Sequence, residues 1–253
     1  MLTNRYVKQS RQILELLIKR LTLQRGCLLC LREIKSQYAI CEDCELELPW
    51  NTRACISCGL PASAVSCVDC SMNAFTFRQV IAPFTFDFPI DTAIARFKHE
   101  QAWPIGQLLT QLLARELAYR YDLGLTPPDL LLAMPLSKAR LRRRGFNQAQ
   151  LMAQWLAASL QLPLYAARFI QRTDKTAQQQ LSAAQRKMNV AGSFSMSARA
   201  PSVQQLHIAV VDDVMTTGAS VQELTRVLLA AGAARVDVYC LARTPKARSL
   251  ASD

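Results

Sequence analysis

Two adjacent carboxylates, Asp212 and Asp213, stand between an apolar run and a hydroxyl-rich turn in Ile208-Ala-Val-Val-Asp-Asp-Val-Met-Thr-Thr-Gly-Ala-Ser220. The carboxylates cannot hold an anion. They suit vicinal hydroxyls, or a metal ion that bridges to them. The turn has the opposite preference. Thr216 to Ser220 lead into a helical pattern, and the N–H groups and dipole of a helix start favour a phosphate. Asp212 and Asp213 are therefore the predicted catalytic pair. Val214, Met215, Thr216, Thr217, Gly218, Ala219 and Ser220 are the predicted phosphate-binding stretch. A sugar diol on one side and a 5′-phosphate on the other describe a ribose 5-phosphate. The plain alternative is an ordinary strand-to-helix turn, with Asp at the strand end and Thr as the cap.

Sulfur provides the second chemistry. Of nine cysteines, eight form Cys-x-x-Cys pairs: Cys27/Cys30, Cys41/Cys44, Cys55/Cys58 and Cys67/Cys70. In a reducing compartment that pattern means metal rather than disulfide. Two pairs complete a tetrahedral Cys₄ set, so eight cysteines give two closed structural Zn²⁺ sites with no open position for catalysis. The simplest assignment is sequential, with an interleaved pairing as the alternative. Gly59 suits the tight turn after Cys58. Cys240 stands alone in an apolar strand and reads as a core residue.

A third cluster is cationic. Pro135-Leu-Ser-Lys-Ala-Arg-Leu-Arg-Arg-Arg-Gly-Phe-Asn-Gln148 reads as a loop that carries Lys138, Arg140, Arg142, Arg143 and Arg144. With Arg172 these are the predicted contacts for a pyrophosphate or for single-stranded DNA. Guanidinium forks match phosphate oxygens of either kind. A solvated charge run is the bland alternative.

These residues need a scaffold that brings them together. Ile208–Val211 and Asp129–Met134 read as buried strands, and Arg235–Leu241 as a last strand. Residues 164–170 read as another strand. Gln79–Phe86 reads as extended, with Pro83 forcing an edge or a break. Helical patterns cover 90–99, 104–121, a stretch from Gly145 through Leu156, and a stretch after Ser220 that ends at Gly232. Strands alternating with helices predict an α/β fold with a mainly parallel sheet, whose ligands sit at the strand carboxyl ends. Both predicted anion sites follow such ends. The polar stretch Arg172–Leu181 reads either as a closing lid or as a surface loop.

Residues 1–26 have the pattern of a basic amphipathic helix. Its roles are a membrane or nucleic-acid surface, or simple packing on the next module. The net charge of +11 points to an anionic partner. No apolar run is long enough to span a membrane, and no secretory signal is evident, so a cytoplasmic protein is expected.

The string Ile208–Ser220 resembles the phosphoribosyl-pyrophosphate (PRPP) motif of type I phosphoribosyltransferases. Together with the four Cys-x-x-Cys pairs, Pro135, Arg144-Gly-Phe-Asn-Gln, Arg172-Thr with Thr176, Gln179 and Leu181, and Arg186 with Asn189 and Phe194, it resembles the ComF/GntX family from Cys27 to Arg243. That resemblance implies a double zinc ribbon fused to a type I phosphoribosyltransferase fold. The expected organisation is a helix (1–26), a double zinc ribbon (27–72), a phosphoribosyltransferase-like domain (73–244) and a flexible tail (245–253). The resemblance further implies PRPP binding with Mg²⁺ and a part in DNA uptake on the cytoplasmic side of the membrane, beside uptake machinery and a helicase. The alternative is an active Mg²⁺-dependent phosphoribosyltransferase that acts on a base or amine.

Overall fold

The computed structural model describes residues 26–62, 67, 70, 74–173 and 192–245. The expected N-terminal helix, most of the lid stretch with Thr176, Gln179, Leu181, Arg186 and Asn189, and the tail from 246 lie outside the described residues. The chain divides into two compact units, Met1–Glu47 and Leu48–Asp253. The division falls between the second and third cysteine pairs, so the two halves of the expected double ribbon belong to different units.

In the first unit the Cys27 N–H donates to the Arg32 carbonyl and the Leu31 N–H to the Cys27 carbonyl, each at 2.8 Å. This closes a tight turn with Leu31 at φ 64°. Helix α1 (Glu42–Leu46) follows Cys41, whose sulfur accepts from the Cys44 N–H. The second unit repeats the turn. Cys55 N–H donates to the Leu60 carbonyl and Gly59 N–H to the Cys55 carbonyl, again at 2.8 Å, with Gly59 at φ 70°. Leu31 and Gly59 thus hold the same left-handed position. At Gly59 a Cβ would lie 2.8 Å from Val80 Cγ1, so close packing as well as backbone angle calls for glycine there.

The larger unit is built on a parallel sheet. β1 (Val80–Ile81), β8 (Arg235–Arg243), β7 (His207–Met215), β3 (Leu130–Ala133) and β4 (Leu164–Tyr165) follow in that order, and β2 (Phe84–Thr85) also pairs with β8. Pro83, which has no N–H to give a ladder, separates β1 from β2. β3, β7 and β8 are buried along most of their length and mostly by apolar residues, as a sheet covered on both faces requires. Helices α2 (Ile90–His99) and α3 (Trp103–Asp122) precede β3. α2 lies so close to α3 that a Cβ on Gly106 would be 2.5 Å from the Phe97 ring.

Residues 164–170 do not form one strand. The chain leaves the sheet after Tyr165, whose hydroxyl donates to the Pro201 carbonyl at 2.7 Å. It passes through a 3₁₀ turn (Ala167–Phe169) into β5 (Ile170–Arg172). β5 pairs antiparallel with β6 (Phe194–Met196), outside the main sheet.

The strand order contains a switch point. From β3 the chain crosses through α5 (Gln148–Leu160) to β4 on one side. From β7 it crosses through α6 (Ala219–Ala230) to β8 on the other. With right-handed crossovers the two connections diverge, and in open sheets of this kind the ligand crevice is expected beyond the carboxyl ends of the strands at that point, here β3 and β7.

The opposite end of the sheet is held by charge. Asp237 is fully buried; Arg235 donates to both its oxygens at 2.8–2.9 Å, Gln79 Nε2 donates at 2.8 Å, and His207 Nε2 lies 3.0 Å away. Burial opposes its charge, but His207, Arg235 and Gln79 hold its carboxyl below the usual carboxylate range. The stabilisation is complete above the unfolded-state pKa, near ~3.9, and disappears as pH falls through the lower folded-state value. Asp237→Asn is expected to destabilise the protein by roughly 3 kcal/mol in urea denaturation at pH 7, with a penalty that shrinks as pH falls below the range of a free carboxylate.

Candidate functional site

The crevice at the switch point collects the predicted carboxylates. Ala133 at the end of β3 is in register with Val211, and the Met134 N–H donates to the Val211 carbonyl at 2.8 Å. Asp212 and Asp213 come next on β7. Their side chains are fixed by short local bonds: Asp212 Oδ1 accepts from the Asp213 N–H at 2.9 Å, and Asp213 Oδ1 from the Val214 N–H at 2.7 Å. Alternation along the strand buries Asp213 to 3 % exposure and leaves Asp212 half-buried.

Two ionised carboxylates side by side repel. Lys98 Nζ, at the end of α2, lies 2.7 Å from Asp213 Oδ2 and neutralises it. Among the described residues this ammonium is the partner seen at that oxygen. Asp212 responds differently. Burial, then the charge of Asp213, push its carboxyl up to about 7, against the opposing pull of Lys98 and Arg172. The pair therefore carries a readily exchanged proton near neutral pH. Lys98 escapes sequence reasoning because no local pattern links it to a carboxylate 115 positions later (98 to 213).

The predicted phosphate stretch divides by depth. Met215 is buried at 2 % and its terminal carbon lies 2.6 Å from where a Cβ on Gly218 would be. Met215 therefore supports the turn from below. Thr216 and Thr217 are exposed, and Val214, Ala219 and Ser220 are half-buried. Gly218, at φ 77°, caps α6 without a side chain to occupy its first N–H groups. Thr217 Oγ1 accepts from the Ala219 N–H at 3.4 Å. The twelve-residue α6 has no acidic residue in its first turn, so its positive end faces the rim unopposed.

The basic stretch is a helix rather than the expected loop. α4 (Lys138–Arg144) starts at Ser137, whose hydroxyl accepts from the Arg140 N–H, and ends at Gly145 with φ 84°. The run of Lys and Arg has good helix propensity, and those two caps supply its ends. Lys138, Arg140, Arg142 and Arg143 are exposed. Arg144 is half-buried and donates to Gln148. Asn147 caps α5 and donates from Nδ2 to the Met134 carbonyl at 3.1 Å, tying the basic helix to the end of β3. Arg172 reaches the first residue of the same stretch rather than its helix. It donates from Nη1 to the Pro135 carbonyl at 3.3 Å and its guanidinium covers the Phe194 ring at 5.1 Å. It anchors β5 beside the crevice and acts electrostatically on Asp212.

The cysteines gather into two quartets, Cys27/Cys30/Cys41/Cys44 and Cys55/Cys58/Cys67/Cys70, each with all sulfurs within 4.8 Å of one another. The pairing is sequential. Sulfur separations of 3.6 Å for Cys30–Cys41 and Cys58–Cys67, and 3.8 Å for Cys55–Cys70, match four thiolates around one Zn²⁺. A tetrahedron with Zn–S near 2.3 Å places them about 3.8 Å apart. Burial opposes ionisation at Cys27 and Cys55, yet backbone N–H donors bring these thiols to about 6 and about 7. The donor sets fit zinc and leave no position for a substrate. Cys240 is fully buried; burial, then Asp212, push its thiol up to about 12, as expected of a core residue. Metal analysis of the purified chain is expected to give two zinc ions, and one after Cys27→Ser/Cys30→Ser; a metal-free folded protein would contradict the fit.

Comparisons with known proteins agree with this geometry. Residues 141–252 match the phosphoribosyl transferase domain. The chain is 35 % identical over 229 residues to the DNA utilization protein YhgH of Salmonella typhimurium, covering 88 % of this chain and 99 % of that protein. It is 29 % identical over 221 residues to competence protein F of Haemophilus influenzae, covering 86 % and 90 %. It is 27 % identical over 223 residues to competence protein ComFC of Bacillus subtilis, covering 83 % and 87 %. A relative this similar along nearly its whole length, joined to a phosphoribosyl transferase domain and two Cys₄ groups, shows that the chain belongs to the ComF family.

Proposed function

We propose that this chain acts in DNA uptake or use, on the cytoplasmic side of the membrane, and that it binds PRPP or a related ribose phosphate at the β7 carboxyl end. The names of its relatives, a DNA utilization protein and two competence proteins, support the first part. No helix among the described residues is long and apolar enough to cross a membrane. The observation that carries the second part is the succession of carboxylates and helix start at the carboxyl end of β7. Paired carboxylates near the end of β7 are followed within a few residues by a helix start with no acidic residue in its first turn, which is the division of charge that a ribose phosphate presents.

In this reading Asp212 and Asp213 accept the ribose hydroxyls. The N–H groups from Thr217 to Ser220, with the Thr216 and Thr217 hydroxyls, hold the 5′-phosphate. Mg²⁺, when bound, would neutralise the pyrophosphate and ease its departure. Lys98, 2.7 Å from Asp213 Oδ2, places a cation beside the pair. The exposed cations of α4 face solvent beyond the β3 end and suit a pyrophosphate or the backbone of single-stranded DNA. A helicase or processing protein is a fitting partner for such a role. The carboxylate pair also suits transfer of the ribose phosphate to a base or amine, and turnover of PRPP with a panel of bases separates a transferase from a binding protein.

Calorimetric titration with PRPP and Mg²⁺ tests the site. Wild type is expected to bind, and Asp212→Asn/Asp213→Asn to bind at least about tenfold more weakly, ~1.4 kcal/mol. Because a diol and Mg²⁺ favour the ionised pair, and free Asp212 ionises near 7, affinity should rise with pH towards about 7 and level off above it. Equal binding by wild type and double variant would remove the site. For DNA, Arg142→Ala/Arg143→Ala/Arg144→Ala should weaken single-strand binding and flatten its salt dependence by about 0.7 in log–log slope per lost phosphate contact. Unchanged affinity would take α4 out of the DNA surface.

A further inference from the structure

A buried guanidinium joins the second cysteine quartet to the ribose-phosphate turn. Arg243, the last residue of β8, is 4 % exposed. Its Nε donates to the Cys58 carbonyl at 2.8 Å, within the knuckle that grips the second quartet. Its Nη1 donates to the Met215 carbonyl at 2.9 Å, to the Thr244 carbonyl at 3.0 Å and to the Thr216 carbonyl. Met215 and Thr216 lead directly into the predicted phosphate turn. No carboxylate pairs with Arg243 among the described residues; its described bonds all go to backbone carbonyls.

Two other contacts run the same way. Phe75 packs on the apolar cluster of Cys55, Cys58 and Leu60, and its ring lies 3.4 Å from where a Cβ on Gly218 would be. Thr76 N–H donates at 3.0 Å to Gln222 Oε1 in the first turns of α6. The knuckle is itself part of the sheet edge, since Val80 N–H donates to the Ile56 carbonyl at 3.0 Å and Asn51 Nδ2 to the Gly59 carbonyl at 2.8 Å. The first quartet lies in the other compact unit.

We propose that Arg243 is a positioning residue that couples the second cysteine quartet to the Thr216–Ser220 turn, so that metal in that quartet fixes the turn in its anion-binding shape, while the first quartet has no such effect. The geometry explains why arginine is used. One planar group reaches carbonyls on both sides at once, and the point charge of lysine cannot span them. A Cys₄ set with Zn²⁺ carries two net negative charges and supplies the counter-charge that a buried cation needs. Any gain in ligand affinity from the metal must be matched by an equal gain in metal affinity from the ligand. The consequence for PRPP rests on the site reading above; the coupling itself can be measured without a ligand.

Amide hydrogen exchange is followed at residues 215–222 in wild type, Arg243→Lys, Arg243→Met, Cys27→Ser/Cys30→Ser and Cys67→Ser/Cys70→Ser, with zinc content measured for each. Disrupting the second quartet should speed exchange at these amides about tenfold or more. Disrupting the first should leave them unchanged. Arg243→Lys should speed them with the zinc content still at two. Should Arg243→Met fail to fold, Arg243→Lys carries the test. In wild type, PRPP with Mg²⁺ should slow zinc release to a chromophoric chelator from one site of the two, and this slowing should be absent in Arg243→Lys. Wild-type exchange in folded Arg243→Lys and after loss of the second quartet would overturn the coupling. Failure of wild type to bind PRPP would instead overturn the site reading, and the exchange result would still decide the coupling.

Discussion

Placing two carboxylates at consecutive positions, at the buried end of a central strand, creates a charge conflict that the rest of the site must resolve. One carboxylate has its own cation, because Lys98 reaches Asp213 from α2. The other keeps a proton near neutrality because burial and the charge of Asp213 raise its pKa. This asymmetry depends on distant packing. Phe97 must seat against Gly106 for the next residue to reach the rim, and β7 must lie between strands whose crossovers diverge. The carboxylate pair thus depends on the close contact of α2 with α3 as much as on its own strand.

The two cysteine quartets share a turn and differ in setting. Each uses a knuckle closed by the same pair of backbone bonds, and each set is filled by sulfur alone. The first stands in a small unit. The second is continuous with the edge of the sheet, through Val80, Asn51 and Arg243.

Much of this was legible in the sequence, for reasons that can be named. The quartets follow from spacing, because a Cys-x-x-Cys turn is a local structure. The strands β3, β7 and β8 follow from continuous apolar runs, and the break at Pro83 from its missing N–H. The segment of α4 reads as a loop because five cations in seven residues suggest a solvated run (Lys138 to Arg144), and that charge masks the helix ends that Ser137 and Gly145 supply. Residues 164–170 were expected as one strand because hydropathy does not show the chain turning away after Tyr165 to pair with β6. Lys98 and Arg243 escaped notice for a deeper reason. Their partners are remote in sequence, and a lone Lys or Arg in an amphipathic element looks like any solvated cation. Arg243, at the end of an apolar strand, offered one clue: a charge in that position needs partners to be buried.

The central claim is that the crevice beyond β3 and β7 is a ribose-phosphate site with its diol on the carboxylates. A crystal structure of the protein grown with PRPP and Mg²⁺ tests it most directly. The account predicts the ribose hydroxyls within hydrogen-bond reach of Asp212 and Asp213, with the 5′-phosphate over the first N–H groups of α6. A ligand bound instead along α4, with the crevice empty and Lys98 still on Asp213, would contradict it.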